Sequence, residues 1–225
     1  MGVISKIKEE IAIIKERDPA MHSDWEVFLY PSFRAIINYR MAHKLYGKGH
    51  YFLARWMSQR SARKTGIEIH PGATIGKGLF IDHGHGVVIG ETAILGNNVT
   101  LYQGVTLGGT GKEHGKRHPT IGDNVMISAG AKVLGSFEIG SNTKIGAGSV
   151  VLSPVPDNCT VVGVPGRIVK RNNISCPSKE LNQVDLPDPI KEEITDLRKN
   201  KDTMDARILE LERTVQKLAD MVANK

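Results

Sequence analysis

Residues 89–107 read IGETAILGNNVTLYQGVTL, in which an aliphatic side chain returns every sixth place, at Ile89, Leu95, Leu101 and Leu107. The spacing continues outward through Ile81, Ile75 and Ile69 on one side. On the other it runs through Ile121, Ile127, Val133, Ile139, Ile145 and Val151, and every gap is six except one of eight and one of fourteen. A helix cannot use this repeat, because six steps of about 100° turn the side chain by roughly 240° each time and smear the apolar residues round the cylinder. Short strands joined by tight turns can. Glycine follows the aliphatic at Gly76, Gly90, Gly96, Gly108, Gly122, Gly140 and Gly146, and a small or β-branched residue stands four places on at Ala73, Val99, Val105, Val125 and Thr143. These are corners and walls of a solenoid. Three hexads make one triangular coil, so thirteen marked positions give a little over four coils. A parallel β-helix is therefore predicted over residues 65–170, with its hand left open, since crossovers between parallel strands are normally right-handed. A narrow aliphatic interior also explains 24 glycines beside only 5% aromatic residues.

The flanks differ. Residues 1–64 show helical spacing, with Ile4, Ile7, Ile11 and Ile14 three or four apart, and three or four short helices would form a cap. Residues 171–189 form a polar linker containing Pro177, Pro187 and Pro189. From 190 to 225 a heptad runs through Ile190, Ile194, Leu197, Met204, Ile208, Leu211, Val215, Leu218 and Val222, with Lys201 at a core position. That pattern is a coiled-coil helix of open strand number. The fold class is α+β.

Across 225 residues, 40% apolar and 24% charged, no apolar run is long enough to span a membrane. The start has no secretory core, and Lys6 stands where a myristoylation signal needs Ser or Thr, so a cytoplasmic setting is expected. Cys159 and Cys176 are read as free thiols. The net charge of +6 is spread along the chain, giving little support for nucleic-acid binding.

Chemistry is sought at the two breaks in the hexad rhythm, where side chains must leave the scaffold. The first, Asp82-His83-Gly84-His85-Gly86, adds two residues; the second, between Gly108 and Thr120, adds eight and carries His114, Lys116, Arg117 and His118. His83 is a candidate general base, and Glu68, about one coil away, a carboxylate that could orient it. A hydrogen-bonded turn histidine would satisfy the same spacing, and His85 and His114 fit solvated loops. Several loop histidines also suit zinc, although no His-Glu-x-x-His or Cys-x-x-Cys spacing is present. Gly108-Gly109-Thr110-Gly111-Lys112 is not a P-loop, because Glu113 stands where Ser or Thr would hold magnesium. A nucleotide-containing ligand would have to lie along the solenoid near Lys112 or Lys144.

The cap, the hexads and the strings Arg17-Asp18-Pro19-Ala20, Asp82-His83-Gly84, Gly90-Glu91-Thr92, Gly108-Gly109-Thr110-Gly111-Lys112, Arg117-His118-Pro119 and Gly163-Val164-Pro165-Gly166-Arg167 closely resemble the serine O-acetyltransferase family over about residues 15–170. The resemblance implies a left-handed parallel β-helix, a homo-trimer with active sites between neighbouring subunits, and transfer of acetyl from acetyl-CoA to L-serine as the first step of cysteine synthesis. It implies no permanently bound cofactor and no metal, with acetyl-CoA as co-substrate and L-cysteine as feedback inhibitor. His83 corresponds to the base, and Glu68 to an orienting carboxylate that is more often aspartate. Arg117 and His118 correspond to the pair receiving the serine carboxylate, His118 also counting as catalytic, and Asp18 and Asp82 to the acids facing the ammonium. Gly109, Thr110, Ala129 and Lys144 match positions lining the coenzyme A groove. Direct transfer without an acyl-enzyme is expected, the oxyanion donor being unassigned.

Two departures bear on assembly. The cap is shorter than in long members that pair trimers into hexamers, so both states stay open. The chain ends Ala223-Asn224-Lys225 instead of in the isoleucine that inserts into cysteine synthase, so that complex is not expected. The competing readings are a zinc hydratase resembling γ-class carbonic anhydrases, and a non-catalytic scaffold. Homoserine or a sugar is the alternative acceptor, against which the Arg117-His118 pair argues.

Overall fold

Each of the thirteen hexad aliphatics is the second residue of a short strand, and all are buried. The computed structural model describes residues 3–18, 20–111, 114–171 and 189–223. Pro19, Lys112, Glu113, Cys176 and residues 172–188 of the expected linker lie outside them, as do the side chains of Ile4, Ile7, Ile190, Leu218 and Val222. The chain divides into two units, one ending at Pro187 and the other starting at Asp188.

In the first unit three parallel sheets form the walls of a prism. The first stacks β1 (Glu68–Ile69), β4 (Val88–Ile89), β7 (Thr106–Gly108), β10 (Lys132–Leu134) and β13 (Val150–Val151). The second stacks β2 (Thr74–Ile75), β5 (Ile94–Leu95), β8 (Thr120–Ile121) and β11 (Glu138–Ile139). The third holds β3 (Phe80–Ile81), β6 (Thr100–Leu101), β9 (Met126–Ile127), β12 (Lys144–Ile145) and β14 (Cys159–Val162), closed by β15 (Arg167–Arg171) running antiparallel to β14. Ile69 registers on Ile89, Ile89 on Leu107, and Leu107 on Val133, so the interior is a column of like side chains. A fifth coil is completed by Val155, bridged to Ile139, and by Val161, paired with Ile145. The six-residue reading stops short of it because Val151 and Val155 are only four apart.

The corner between the second and third sheets is built by asparagines. Asn98, Asn124, Asn142 and Asn158 all take left-handed φ of 57–59°, which asparagine tolerates better than other side-chain-bearing residues. Their amides link coil to coil at 3.3, 3.1 and 3.1 Å.

A first coil has no coil beneath it, and its open carbonyls need donors. Helices α2 (Pro31–Gly47) and α3 (Tyr51–Thr65) supply them. Tyr39 Oη donates to Ala73 O at 2.6 Å, Arg40 donates to Ile75 O and Gly76 O at 2.7 Å each, and Ser58 Oγ donates to Ile69 O at 2.7 Å. Burial pushes the Tyr39 hydroxyl up to about 12, so it remains a donor. Ala35, Ile36 and Tyr39 share one core with the coil. Helix α1 (Val3–Arg17) packs through Ile14 against Val27, Phe33 and Phe80, which brings its C-terminal end to β3.

The second unit is helix α4, Pro189–Ala223. No helix among the described residues is long and apolar enough to cross a membrane.

Candidate active site

The two breaks in the repeat leave the prism at different corners. The first follows β3 and leads from the third sheet to the first; the second follows β7 and leads from the first to the second.

At the first break His83 has a left-handed φ of 55°. Among the described residues it shares this region with glycines and the four corner asparagines. The Gly84 N–H donates to Asp82 O at 2.5 Å, closing a three-residue turn that throws the His83 ring outward, 75% exposed. A strained imidazole held in solvent is a reason to look for function. It borders a cleft of about 680 Å³ lined by Arg17, Asp18, Tyr30, Phe80 and Asp82. Asp82 Oδ1 stands 4.0 Å from His83 Nε2. Asp18 ends α1 with Oδ1 accepting the Ala20 N–H at 2.8 Å, while Oδ2 accepts the Tyr30 hydroxyl at 2.6 Å. That bond, with some burial, pushes the Tyr30 hydroxyl up to about 12. Arg17 donates to Thr100 Oγ1 at 3.1 Å and lies 5.9 Å from the Phe80 ring centre. The cleft therefore presents two carboxylates beside an accessible imidazole, a setting for an ammonium-bearing hydroxyl compound.

Glu68 is not in this group. As the residue before inward-facing Ile69 it points away from the coil, where it meets Gln59 Nε2 at 3.3 Å and Arg55 Nη2 at 3.6 Å. The base-and-orienter pair suggested by spacing does not form within one chain, because the α3 cation and amide hold the carboxylate.

At the second break Arg117 and His118 are folded against Gly90-Glu91-Thr92 on the neighbouring coil. Arg117 Nη2 pairs with Glu91 Oε2, whose other oxygen accepts Tyr46 Oη at 2.8 Å. Thr92 Oγ1 accepts the backbone N–H of Arg117 and of His118 at 3.0 and 3.1 Å. The His118 Nδ1 accepts from the Thr92 N–H at 3.2 Å and lies 2.9 Å from Thr92 Oγ1. Its ring lies over Gly90, where any side chain would overlap it. Burial and then Arg117 hold His118 below the usual imidazole range, and Arg117 followed by Tyr46 holds Glu91 below the usual carboxylate range. A pinned guanidinium beside a neutral imidazole suits a carboxylate ligand. Glu91, Thr92, Tyr46 and Tyr30 received no role from the sequence; Gly90-Glu91-Thr92 stood out as a string, but its contact with Arg117 crosses a coil and shows only in the fold.

The coenzyme candidates are likewise divided. Gly109 and Thr110 are exposed at the start of the second break, and a Cβ on Gly109 would approach Arg117 O to 3.0 Å. Ala129 lies in the turn after β9, its carbonyl accepting the Gly148 N–H at 2.8 Å. Lys144 stands on β12 beside Met126 and Thr160. One chain thus carries these residues on different faces of the prism. His85 and His114 are exposed.

The chain is similar to known proteins in sequence and fold. The bacterial transferase hexapeptide (six repeats) family matches residues 118–153. The serine acetyltransferase of Bacillus subtilis (strain 168) is 53% identical over 220 residues, covering 97% of this chain and 98% of that protein. A solved serine acetyltransferase in complex with cysteine superposes with a TM-score of 0.78 at 43% identity, over 81% of this chain and 72% of that one. The serine acetyltransferase of Brucella abortus strain S19 in complex with coenzyme A gives 0.73 at 45% identity, over 77% and 69%. The coil is accordingly left-handed, against the usual crossover preference. With more than half its residues identical to a relative it matches from end to end, the chain belongs to the serine acetyltransferase family.

Proposed function

We propose that this chain acetylates the hydroxyl of L-serine with acetyl-CoA, giving O-acetyl-L-serine and coenzyme A in cysteine synthesis, in a site completed between neighbouring subunits of a homo-trimer. The observation that carries this reading is the division of the site: the His83 cleft occupies one corner of the prism and the Arg117–His118 group another. A single serine needs both, the carboxylates of Asp18 and Asp82 for its ammonium and the guanidinium of Arg117 with His118 for its carboxylate. Two corners of one prism cannot close on a molecule that small; corners of adjacent prisms can.

His83 takes the proton from the serine hydroxyl as its oxygen attacks the thioester carbonyl. The carbon–sulfur bond then breaks, and the imidazolium returns the proton to the departing thiolate. Asp82 Oδ1, 4.0 Å from the ring Nε2, stands beside the imidazole as it carries the proton. Glu68, turned toward α3, stays outside this proton path. Transfer is direct, because holding two substrates together supplies most of the acceleration and a positioned base about 10²- to 10⁴-fold more. Gly109, Thr110, Ala129 and Lys144 line the coenzyme A groove, and the known coenzyme A complex of a relative supports that use. L-cysteine, which carries a thiol sulfur where serine has its hydroxyl oxygen, competes for the serine site, in keeping with the cysteine complex of another relative. The reading keeps the cytoplasmic setting and needs no resident metal.

The test is thiol release from acetyl-CoA with L-serine, homoserine or a galactoside as acceptor. Serine-dependent release that falls by about 10²-fold or more in His83→Ala is the expected result. Folded protein that releases no thiol with any acceptor and holds one zinc per site would instead favour the hydratase reading.

A further inference from the structure

Helix α4 carries an apolar seam along which the structure leaves the side chains bare. In heptad terms Ile190, Leu197, Met204, Leu211 and Leu218 take the d positions, and Ile194, Lys201, Ile208, Val215 and Val222 the a positions. Ile194, Leu197, Met204, Ile208, Leu211 and Val215 are all exposed, Met204 by 68% and Val215 by 64%. Six large apolar side chains in one stripe, on a helix about 50 Å long at 1.5 Å per residue, call for a partner.

Two properties of the seam specify that partner. Four of the five a positions are β-branched and three of the five d positions are leucine, the combination that favours two parallel strands. In such a pair, aligned in register, each g residue faces the e residue five places on in the other helix. Those couples are Glu193 with Arg198, Asn200 with Asp205, Arg207 with Glu212, and Thr214 with Ala219. Two are of opposite charge and none of like charge. Lys201, the one polar a residue, reaches to Asp205 of its own helix, Nζ to Oδ2 3.8 Å. Its charge is thereby balanced at the rim, while a polar core position still penalises a shifted register.

We infer that α4 pairs with α4 of a second copy as a parallel, in-register, two-stranded coiled coil. Combined with the trimer proposed above, on which this step rests, the pairing has a consequence for assembly. Helices joined in twos cannot all be satisfied within a ring of three, since one is always left over. The smallest closed solution links two trimers through three coiled coils, making a hexamer whose trimer-to-trimer bond is the C-terminal helix.

The experiment measures the mass of the full-length protein by light scattering and native mass spectrometry, together with thiol release. Wild type is expected as six chains of 24.6 kDa. Ile208→Asp combined with Leu211→Asp should give three chains with unchanged thiol release per chain. Arg207→Glu alone and Glu212→Arg alone each set like charges across the seam, and each should raise the concentration at which hexamers dissociate by about tenfold or more. The two substitutions together restore the opposite-charge couple and should restore the hexamer, an outcome that an antiparallel or unpaired helix would not give. Wild type at three chains overturns two-stranded pairing, and a hexamer untouched by the Asp substitutions overturns the role of α4. Wild type at two chains that falls to one on the same substitutions supports the pairing and overturns the trimer instead.

Discussion

Arg117 can receive a carboxylate only if its guanidinium is held in place, and Glu91 does the holding. Glu91→Gln removes a charge-assisted bond in the range of about 1.5–3 kcal/mol, and is expected to raise KM for serine about tenfold or more while kcat stays within about threefold. Steady-state kinetics at varied serine decide this, and an equal loss in kcat would show that Glu91 acts on the reacting atoms. The same cluster sets a pH dependence of stability. His118 is held below its ordinary range by burial and then by Arg117, and His70 by burial and then by Arg55. As pH falls the unfolded chain therefore binds these protons first, so stability is present above the ordinary histidine value of about 6.5 and is lost below it. Glu91, also depressed, adds a further loss on approach to the carboxylate range. Tm should fall as pH drops from 8 to 5, and His118→Gln should flatten the slope; an unchanged slope in that variant would exclude His118 as a contributor. His83, Arg117 and His118 stood out in the sequence itself, at the two breaks in the repeat, whereas Asp18 and Asp82 were singled out only through the family resemblance. The contacts among such residues could not be read, because a one-coil contact such as Arg117 to Glu91 spans 26 positions and leaves no periodic trace.

At the scale of the element, the hexad gave the strands almost residue for residue, since a six-place repeat with an inward aliphatic fits short strands joined by tight turns and not a helix. What it could not give was the asparagine corner, whose φ near 57° and amide ladder depend on coils already being stacked. Asn124 makes two of these links, one to Asn98 and one to Asn142. Asn124→Ala loses both and forces a Cβ without a polar partner into the left-handed region, at a cost of about 2–3 kcal/mol. Asn124→Gly keeps the conformation and should cost less. Urea midpoints for the two variants test the order, and equal losses would mean that the ladder, not the backbone, carries the corner. The orientation of Glu68 was missed for a related reason. Spacing along the coil cannot show that Arg55 and Gln59, from another element, stand closer than His83.

For the whole molecule, the cap and the coil serve one end: α1 delivers Asp18 to the cleft, and α2 and α3 seal the first coil beneath it. What one chain does not do is join the cleft to the Arg117–His118 group. The central claim is that a neighbouring subunit supplies the missing half, and complementation tests it most directly. Two full-length variants, His83→Ala and Arg117→Ala, are each purified, shown to be nearly inactive in serine-dependent thiol release, then unfolded and refolded together in equal amounts. Random mixing in trimers leaves about one site in four with both halves intact, so the mixture should recover about a quarter of wild-type release. Mixed trimers, verified by mass, that stay as inactive as either parent would contradict a site shared between subunits.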